Sequence, residues 1–402
     1  MKTNIDIGKI MCIFIIISLF KPVGLAQYEI LDIILKVCKV ISIIIILIAV
    51  IRDEKNETIK IGDVKYLFPL LFFWTIYIFN SYIHKADYLE IINNALTSIT
   101  IILFIRFAFK NKDKKEIFLN SVSNVFVVYI IIHLLSFVII NIFHTPLFGS
   151  KSTLYFLGMD NYSAFATIPM ITIILFNNVR KNQKFTILSY VLVMLLFLSY
   201  LYAKSYAATF AYVLFIVGIV LIAFNKDIFK IINFKSIIAL TIILLILIMV
   251  FNIQDFFSFI LINVIKKGVT LNSRTIIWRD AINIIKSNFV IGYGNLSSDN
   301  VANYYLYGTT HTHNFLLELL FTTGIVGTIS FLFFYNKAFT DMYNIKNGKN
   351  NIFLLGVVVF IILSFMDYYV LSQYQYCLIG IMYGVINMKR SNQSGENREF
   401  KT

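Results

Sequence analysis

Two histidines stand where a long polar stretch meets a hydrophobic helix, in the segment His311-Thr312-His313-Asn314. An unperturbed histidine titrates near pH 6.5, so this side chain is suited to moving protons at neutral pH. The pair therefore indicates proton transfer or hydrogen bonding to a ligand. No third and fourth ligand follows at a recognised metal spacing, and we expect no metal here. The alternative interpretation is that both histidines are polar anchors at a membrane interface.

A second candidate is Arg274, which follows Asn272-Ser273 at the start of a segment with apolar residues at helical spacing, namely Ile277, Ala281, Ile284 and Ile285. The pattern predicts a capped amphipathic helix that lies on the membrane. A helix N-terminus already favours an anion, so a cation in its first turn suggests a negative ligand such as a phosphate. An interfacial arginine that binds lipid headgroups explains the residue equally well.

Glycines flank both candidates. Gly292 and Gly294 permit a tight turn and a close backbone approach to a ligand. Gly324 and Gly327, in the helix that follows His313, allow that helix to pack closely against a neighbour.

The composition indicates which elements must position these residues. Of the 402 residues, 59% are hydrophobic and 14% are charged, and the mean hydropathy is +0.80. Apolar runs near twenty residues recur along the chain, so we predict an all-α integral membrane protein, a polytopic bundle with one large extracytoplasmic loop that contains an amphipathic helix. The three cysteines, Cys12, Cys38 and Cys377, lie in apolar segments and indicate neither a disulfide framework nor a metal site.

Twelve transmembrane spans are predicted, at residues 8–20, 30–51, 66–83, 90–109, 120–143, 163–179, 186–203, 207–224, 236–253, 313–335, 351–368 and 369–388. With the N-terminus inside, the cytoplasmic segments hold 24 Lys or Arg and the outer segments hold 9, which predicts cytoplasmic N- and C-termini. This sorting accounts for most of the net charge of +14 and excludes nucleic acid as a partner.

The outer face carries two long loops, residues 144–162 and 254–311. Loops of more than about fifteen residues are usually functional, so we divide the chain into helices 1–9 (1–253), the extracytoplasmic loop (254–312), helices 10–12 (313–388) and a cytoplasmic tail (389–402). No internal repeat and no matching pair of broken helices is visible, which disfavours a secondary transporter.

The order of these features resembles the O-antigen polymerase and ligase family of membrane glycosyltransferases. The resemblance is strongest from Ser273 to Gly327, and it is carried by Arg274, Trp278, Gly292-Tyr293-Gly294, His313-Asn314, Leu317 and Gly324-Ile325-Val326-Gly327. A weaker match is the segment 158–164, Gly-Met-Asp-Asn-Tyr-Ser-Ala.

Two departures stand out. Many members have Ser-Arg where this chain has Lys204-Ser205-Tyr206, and many place an acid where this chain has Thr322. The nearest acid is Glu318.

The resemblance implies a multi-pass protein of the cytoplasmic membrane that acts without a cofactor on a glycan carried by undecaprenyl pyrophosphate. It implies a catalytic role for His313, supported by His311, and pyrophosphate binding by Arg274 with help from Arg279 and Lys204. Sugar contacts are expected from Asp160, Asn161, Asn314 and Glu318, although Asp160 equally suits a helix cap. A flippase and a chain-length regulator of the same pathway are expected partners.

Within the family we favour a polymerase, with ligase-type transfer to a different acceptor as the alternative. A precursor transporter or flippase is a further alternative, and it should carry paired charges inside its spans. The candidate charges, Lys36, Lys39, Glu90, His133 and Asp367, show no obvious pairing in the sequence. A non-catalytic assembly scaffold should tolerate the loss of both His313 and Arg274.

Overall fold

The computed structural model describes residues 7–54, 66–149, 154–224, 228–230, 232–256, 273–296, 309, 311–345, 348–368 and 370–399. Three parts of the predicted outer loop, residues 257–272, 297–308 and 310, therefore lie outside the described residues. The amphipathic segment between them and the histidine segment after them are described.

The described residues form α-helices joined by short connections, with one two-stranded antiparallel hairpin, β1 (Leu154–Tyr155) and β2 (Gly158–Met159). The helices are α1 (Ile7–Leu19), α2 (Glu29–Glu54), α3 (Leu67–Ile83), α4 (Tyr88–Phe109), α5 (Lys112–Ile142), α6 (Asp160–Asn182), α7 (Ile187–Tyr202), α8 (Tyr206–Ala223), α9 (Phe234–Met249), α10 (Arg274–Ser287), α11 (Phe315–Asn344), α12 (Asn351–Ser364) and α13 (Gln373–Glu399).

Each predicted span overlaps one helix of this set, and α10 coincides with the predicted amphipathic helix. Within the described residues, six helices, α2, α4, α5, α6, α8 and α11, are long and apolar enough to cross a membrane. The nearly all-α membrane class is therefore confirmed, while twelve crossings and the outer position of the loop stay predictions. Helix α13 continues past the expected boundary at residue 388 and ends at Glu399.

The helices differ in how much of their apolar surface the protein covers. In α6, 89% of the most apolar stretch is buried, whereas in α2 the share is 11%. Helix α12 packs against α6 and α8. Helices α6 and α12 are buried over most of their length and lie at the centre of the bundle. Helix α2 lies at the periphery, where its exposed isoleucines face the region that lipid would occupy.

Helix α11 is broken at Gly324, which has a left-handed φ of 60° and an extended ψ of −171°. The break frees two carbonyls of α11, and the segment after α10 supplies their donors. The N–H of Tyr293 donates to Phe321 O at 2.7 Å, and the N–H of Gly294 donates to Thr322 O at 2.9 Å. In return, the N–H of Ile325 donates to Phe289 O at 2.9 Å. The loop is thus joined to α11 by backbone hydrogen bonds.

The glycines predicted from the sequence are needed at this junction. Gly292 and Gly294 both have positive φ, at 75° and 76°. A Cβ on Gly292 would meet the backbone of α11, and a Cβ on Gly294 would meet the backbone of Ser81 in α3. Close approach of three backbone segments therefore explains the glycine pattern better than contact with a ligand does.

We predict that Gly324→Ala destabilises the protein by about 1–3 kcal/mol, because alanine is strained at this φ and its Cβ would collide with the carbonyl of Val290. The measurement is the thermal melting of the detergent-solubilised protein. Gly348→Ala is the matched control, since a Cβ on Gly348 meets no atom within 4 Å. Equal melting temperatures of the two variants would contradict this account of the junction.

Candidate functional site

Four ionisable side chains from three separate segments meet at one end of the bundle. His313 Nδ1 lies 3.3 Å from Asp367 Oδ1, and His311 Nε2 lies 3.5 Å from the same oxygen. Arg274 Nη2 lies 4.0 Å from Asp367 Oδ2. We call these four residues the Asp367 cluster. The arginine begins α10, the histidines precede α11, and the aspartate follows α12.

The histidine segment is held by hydrogen bonds on both sides. Asn314 is fully buried and caps α11, since its side-chain oxygen accepts the N–H groups of Leu316 and Leu317, both at 3.1 Å. Its Nδ2 donates to Phe365 O at 3.0 Å, which joins the start of α11 to the end of α12. The N–H of Thr312 donates to the Glu318 carboxylate at 2.7 Å. Asn314 and Glu318, predicted as sugar ligands, thus have internal partners that fix the loop.

Helix α10 is positioned by Trp278, which is fully buried and whose indole N–H donates to Thr312 O at 2.9 Å. The Trp278 ring also packs against Phe365, with the ring centroids 5.7 Å apart. One side chain therefore links all three segments of the Asp367 cluster. The predicted cap is wrong in one respect. Ser273 has a φ of 67° and its side chain makes no capping hydrogen bond, because the left-handed backbone turns it away from the N–H groups of the first turn.

The two histidines have different surroundings. The His313 ring directs Nδ1 toward Asp367, so an Nδ1–H donated to the carboxylate leaves Nε2 as an acceptor. His311 Nε2 lies between Asp367 and the hydroxyl of Tyr162, which is 2.9 Å away. The ring centroids of the two histidines are 4.1 Å apart. Two imidazoles with distinct hydrogen bonds can therefore take distinct protonation states.

Burial and pairing oppose each other in the electrostatics of the cluster. Burial alone would lower the pKa of His311, but its hydrogen bond to Asp367 and the nearby Glu318 charge prevail, and the pKa is raised. Burial would raise the pKa of Asp367, but the hydrogen bonds of His311 and His313 outweigh it and hold the pKa well below its usual range. Burial lowers the pKa of Arg274, and Asp367 counteracts that effect. The cluster therefore favours an ionised Asp367 beside one or two cations.

Sequence reasoning missed the role of Asp367, which it treated as an unpaired charge within a span. The structure ends α12 at Ser364 and places Asp367 in the connection beyond it, only 3% exposed. The available signal was an acid near the end of an otherwise apolar segment, a position that costs free energy unless the charge is paired. Its partners are more than 50 residues away along the chain, and no local pattern names them.

The remaining predicted residues have other surroundings. Asn161 Oδ1 accepts the hydroxyl of Ser205 and, at 3.4 Å, the N–H of Ala208. Asn161 therefore supports the start of α8. Lys204 and Arg279 are exposed, and no contact joins either one to the Asp367 cluster within the described residues. Asp160 begins α6, two residues before the Tyr162 that touches His311.

His311, His313 and Asp367 also form a set that could hold a metal ion, since one ligand atom from each lies within 4.8 Å of the others. The sequence spacing that predicted no metal could not include Asp367. The Arg274 guanidinium beside the same carboxylate works against a further cation, because like charges at this distance repel. Proton transfer and anion binding suit this donor set better than a metal does.

The fold and the cluster define a multi-pass α-helical membrane protein with a polar, ionisable site at one end of its bundle. Residues 165–332 match a family model described as O-Antigen ligase. This match supports the O-antigen polymerase and ligase family, whose members are glycosyltransferase-like membrane enzymes, and it agrees with the resemblance seen in the sequence. The matched segment contains Arg274, His311, His313 and Gly324 and ends before Asp367. No curated protein and no solved structure matches the chain.

The raised pKa of His311 predicts that stability depends on pH. A folded-state pKa above the unfolded value means that the protonated ring stabilises the fold fully below about pH 6.5, and that this contribution is lost as pH rises through the folded-state pKa. We expect the melting temperature of the solubilised protein to fall from about pH 6 upward, and His311→Gln to remove that part of the fall. Exposed His144 lies outside the cluster, so His144→Asn should follow the wild-type curve. Parallel curves for wild type and His311→Gln would contradict the assignment.

Proposed function

We propose that this protein is a polysaccharide polymerase that joins oligosaccharide repeat units carried on undecaprenyl pyrophosphate at the outer face of the cytoplasmic membrane. The observation that carries the proposal is the convergence of Arg274, His311 and His313 on the single carboxylate of Asp367. Glycan transfer from a pyrophosphate needs a base for the acceptor hydroxyl and cations for the leaving group. This cluster offers both within one site.

His313 is the proposed base. Its Nδ1–H donates to Asp367, so the carboxylate selects the tautomer whose Nε2 accepts a proton and stabilises the imidazolium that forms. No protein partner occupies Nε2 within the described residues. His313 is also the most exposed of the three paired side chains, at 26% against 19% for His311 and 4% for Asp367. An acceptor hydroxyl can therefore approach His313 from the solvent side.

Arg274 and His311 are the proposed cations for the pyrophosphate. A guanidinium forms two parallel hydrogen bonds with phosphate oxygens, and protonated His311 adds a second donor. Arg274 is at the N-terminus of the 14-residue helix α10, whose dipole also favours an anion. Arg279 and Lys204 would extend the positive field at the rim of the site, where both are exposed.

The proposed transfer step forms one bond and breaks one. The acceptor oxygen forms a bond to the anomeric carbon of the donor, the bond from that carbon to the pyrophosphate oxygen breaks, and undecaprenyl pyrophosphate leaves with the electron pair. The hydroxyl proton passes to His313 Nε2. Asp160 and Asn161 are proposed to contact sugar hydroxyls next to Tyr162, while Asn314 and Glu318 hold the loop that carries the histidines.

Ligase-type transfer is a second candidate, and the matched family description favours it. Both reactions use the same donor and the same base, and they differ in the acceptor. A flippase and a chain-length regulator of the same pathway remain proposed partners of either enzyme. The transporter interpretation gains no support from two of its candidate charges. Lys36 pairs with Asp32 in the same helix and Lys39 donates to the neutral Asn93, so neither forms a charge pair between spans.

We predict that His313→Ala lowers transfer by about a hundredfold or more, the usual effect of removing a general base. The measurement is the length distribution of the polysaccharide in cells that depend on this chain, with membrane abundance checked in parallel. Single repeat units indicate a polymerase, and full-length polymer that stays on the lipid carrier indicates a ligase. Lys286→Gln, at the exposed end of α10, is the matched control. Normal polymer from His313→Ala would falsify the base assignment.

The variant Asp367→Asn separates the role of Asp367 in orienting His313 from its role in packing, because the amide keeps the size of the side chain and removes its charge. We expect a drop of about a hundredfold or more in transfer with normal membrane abundance, since the amide no longer selects the His313 tautomer. The pH profile of the residual activity should also move to lower pH, because the carboxylate that raises the pKa of His311 is lost. An unchanged rate and profile would mean that Asp367 only anchors the connection after α12.

A further inference from the structure

The opposite end of the bundle contains a cavity of about 310 Å³. Helix α6 reaches both ends, with Tyr162 beside the Asp367 cluster and Arg180 on the cavity wall. Eighteen residues of helix separate them, which corresponds to about 27 Å at 1.5 Å per residue. The cavity is therefore distinct from the proposed transfer site. By the distribution of Lys and Arg it lies on the predicted cytoplasmic side.

Four basic side chains line this cavity: Lys115 on α5, Arg180 on α6, Lys349 before α12 and Lys389 on α13. No carboxylate is among its described lining residues. The adjacent Glu116 forms a two-pronged ion pair with Arg180, with one N–O distance of 2.8 Å, and offsets the charge of that arginine. The cavity therefore has a net positive field that favours an anion.

Asn350 gives the cavity a buried donor. Its side chain is 3% exposed, lines the cavity, and has an Nδ2 without a hydrogen-bond partner among the described residues. Asn350 occupies the N-cap position of α12, yet its side chain makes no capping bond. The Nε of Arg180 is buried without a partner in the same way. Buried donors are nearly always paired in proteins, so these two indicate an acceptor that the protein itself does not supply.

The inner wall of the cavity is apolar. Phe109, Leu119, Phe176 and Met388 line it together with the basic side chains. Charged groups at a helix end with an apolar wall beside them match a ligand that has a charged head and a hydrocarbon part. A small hydrophilic anion would use the basic side chains alone.

We propose that this cavity binds a phosphate group, which the Asn350 amide, Arg180 and the lining lysines contact, and that an anionic phospholipid supplies it. Positive-inside sorting alone would distribute lysines along the cytoplasmic loops, and it would not require a buried, unpaired amide donor among them. The ligand would tie α5, α6, α12 and α13 together at the end of the bundle remote from the glycan.

The test is native mass spectrometry of the full chain in detergent, titrated with dioleoyl phosphatidylglycerol, with dioleoyl phosphatidylcholine or with inorganic phosphate. We expect selective binding of phosphatidylglycerol, weakened about tenfold or more by Asn350→Asp, because a carboxylate repels the phosphate and the donor is lost. Lys349→Gln should weaken binding in the same direction without entering the buried core. Lys112→Gln, an exposed lysine of α5 that does not line the cavity, is the matched control.

Each outcome decides the proposal. Selective phosphatidylglycerol binding that both cavity variants weaken and Lys112→Gln does not supports the lipid site. Binding of inorganic phosphate with equal sensitivity to the variants supports the phosphate site and identifies a soluble source. Equal binding of phosphatidylcholine, or equal affinity in wild type and Lys349→Gln, overturns it. If Asn350→Asp fails to fold, the Lys349→Gln comparison decides alone.

Discussion

The structure depends on how the backbone N–H and C=O groups at the break in α11 find hydrogen-bond partners. Backbone groups that lose their helical partners have no water to bind inside a bilayer, so a broken helix needs other protein donors and acceptors. At Gly324 the segment from Phe289 to Gly294 provides them. This exchange fixes where α10 lies against α11. Since α10 carries Arg274 and Trp278, these backbone hydrogen bonds also fix the position at which Arg274 meets the histidines.

A single buried carboxylate then organises the site. Asp367 is almost fully buried, and a buried charge persists only if cations and hydrogen bonds surround it. Arg274, His311, His313 and the N–H of Tyr368, at 2.9 Å, together meet that need. The same contacts hold the histidine rings at fixed angles. The requirement that keeps Asp367 ionised is therefore also the one that prepares a base and a pair of cations for a ligand.

The two ends of the bundle differ in how their charged side chains are arranged. At one end, positive groups converge on an internal aspartate and leave little net charge until His311 is protonated. At the other end, four basic side chains line a cavity that has no carboxylate among its described lining residues, and Glu116 pairs with Arg180. The first arrangement suits a reaction in which charge appears and disappears. The second suits a permanently charged ligand that stays bound.

The sequence by itself determined the membrane class, the positions of the helices and the amphipathic α10, because these follow from local hydrophobic periodicity. It also indicated His313 as a candidate base and Arg274 as a candidate pyrophosphate ligand, from their residue types and the family resemblance. It also indicated the glycines, although their role as a backbone junction needed the contact between α3, α10 and α11. Only the tertiary structure brought Asp367 and Tyr162 to the histidines. It also showed that Asn314 caps α11, that Glu318 holds the histidine segment and that Asn161 supports the start of α8. The partners of Asp367, Tyr162 and Asn161 lie tens to hundreds of residues away along the chain. Helix packing, which no local pattern encodes, decides which of them meet.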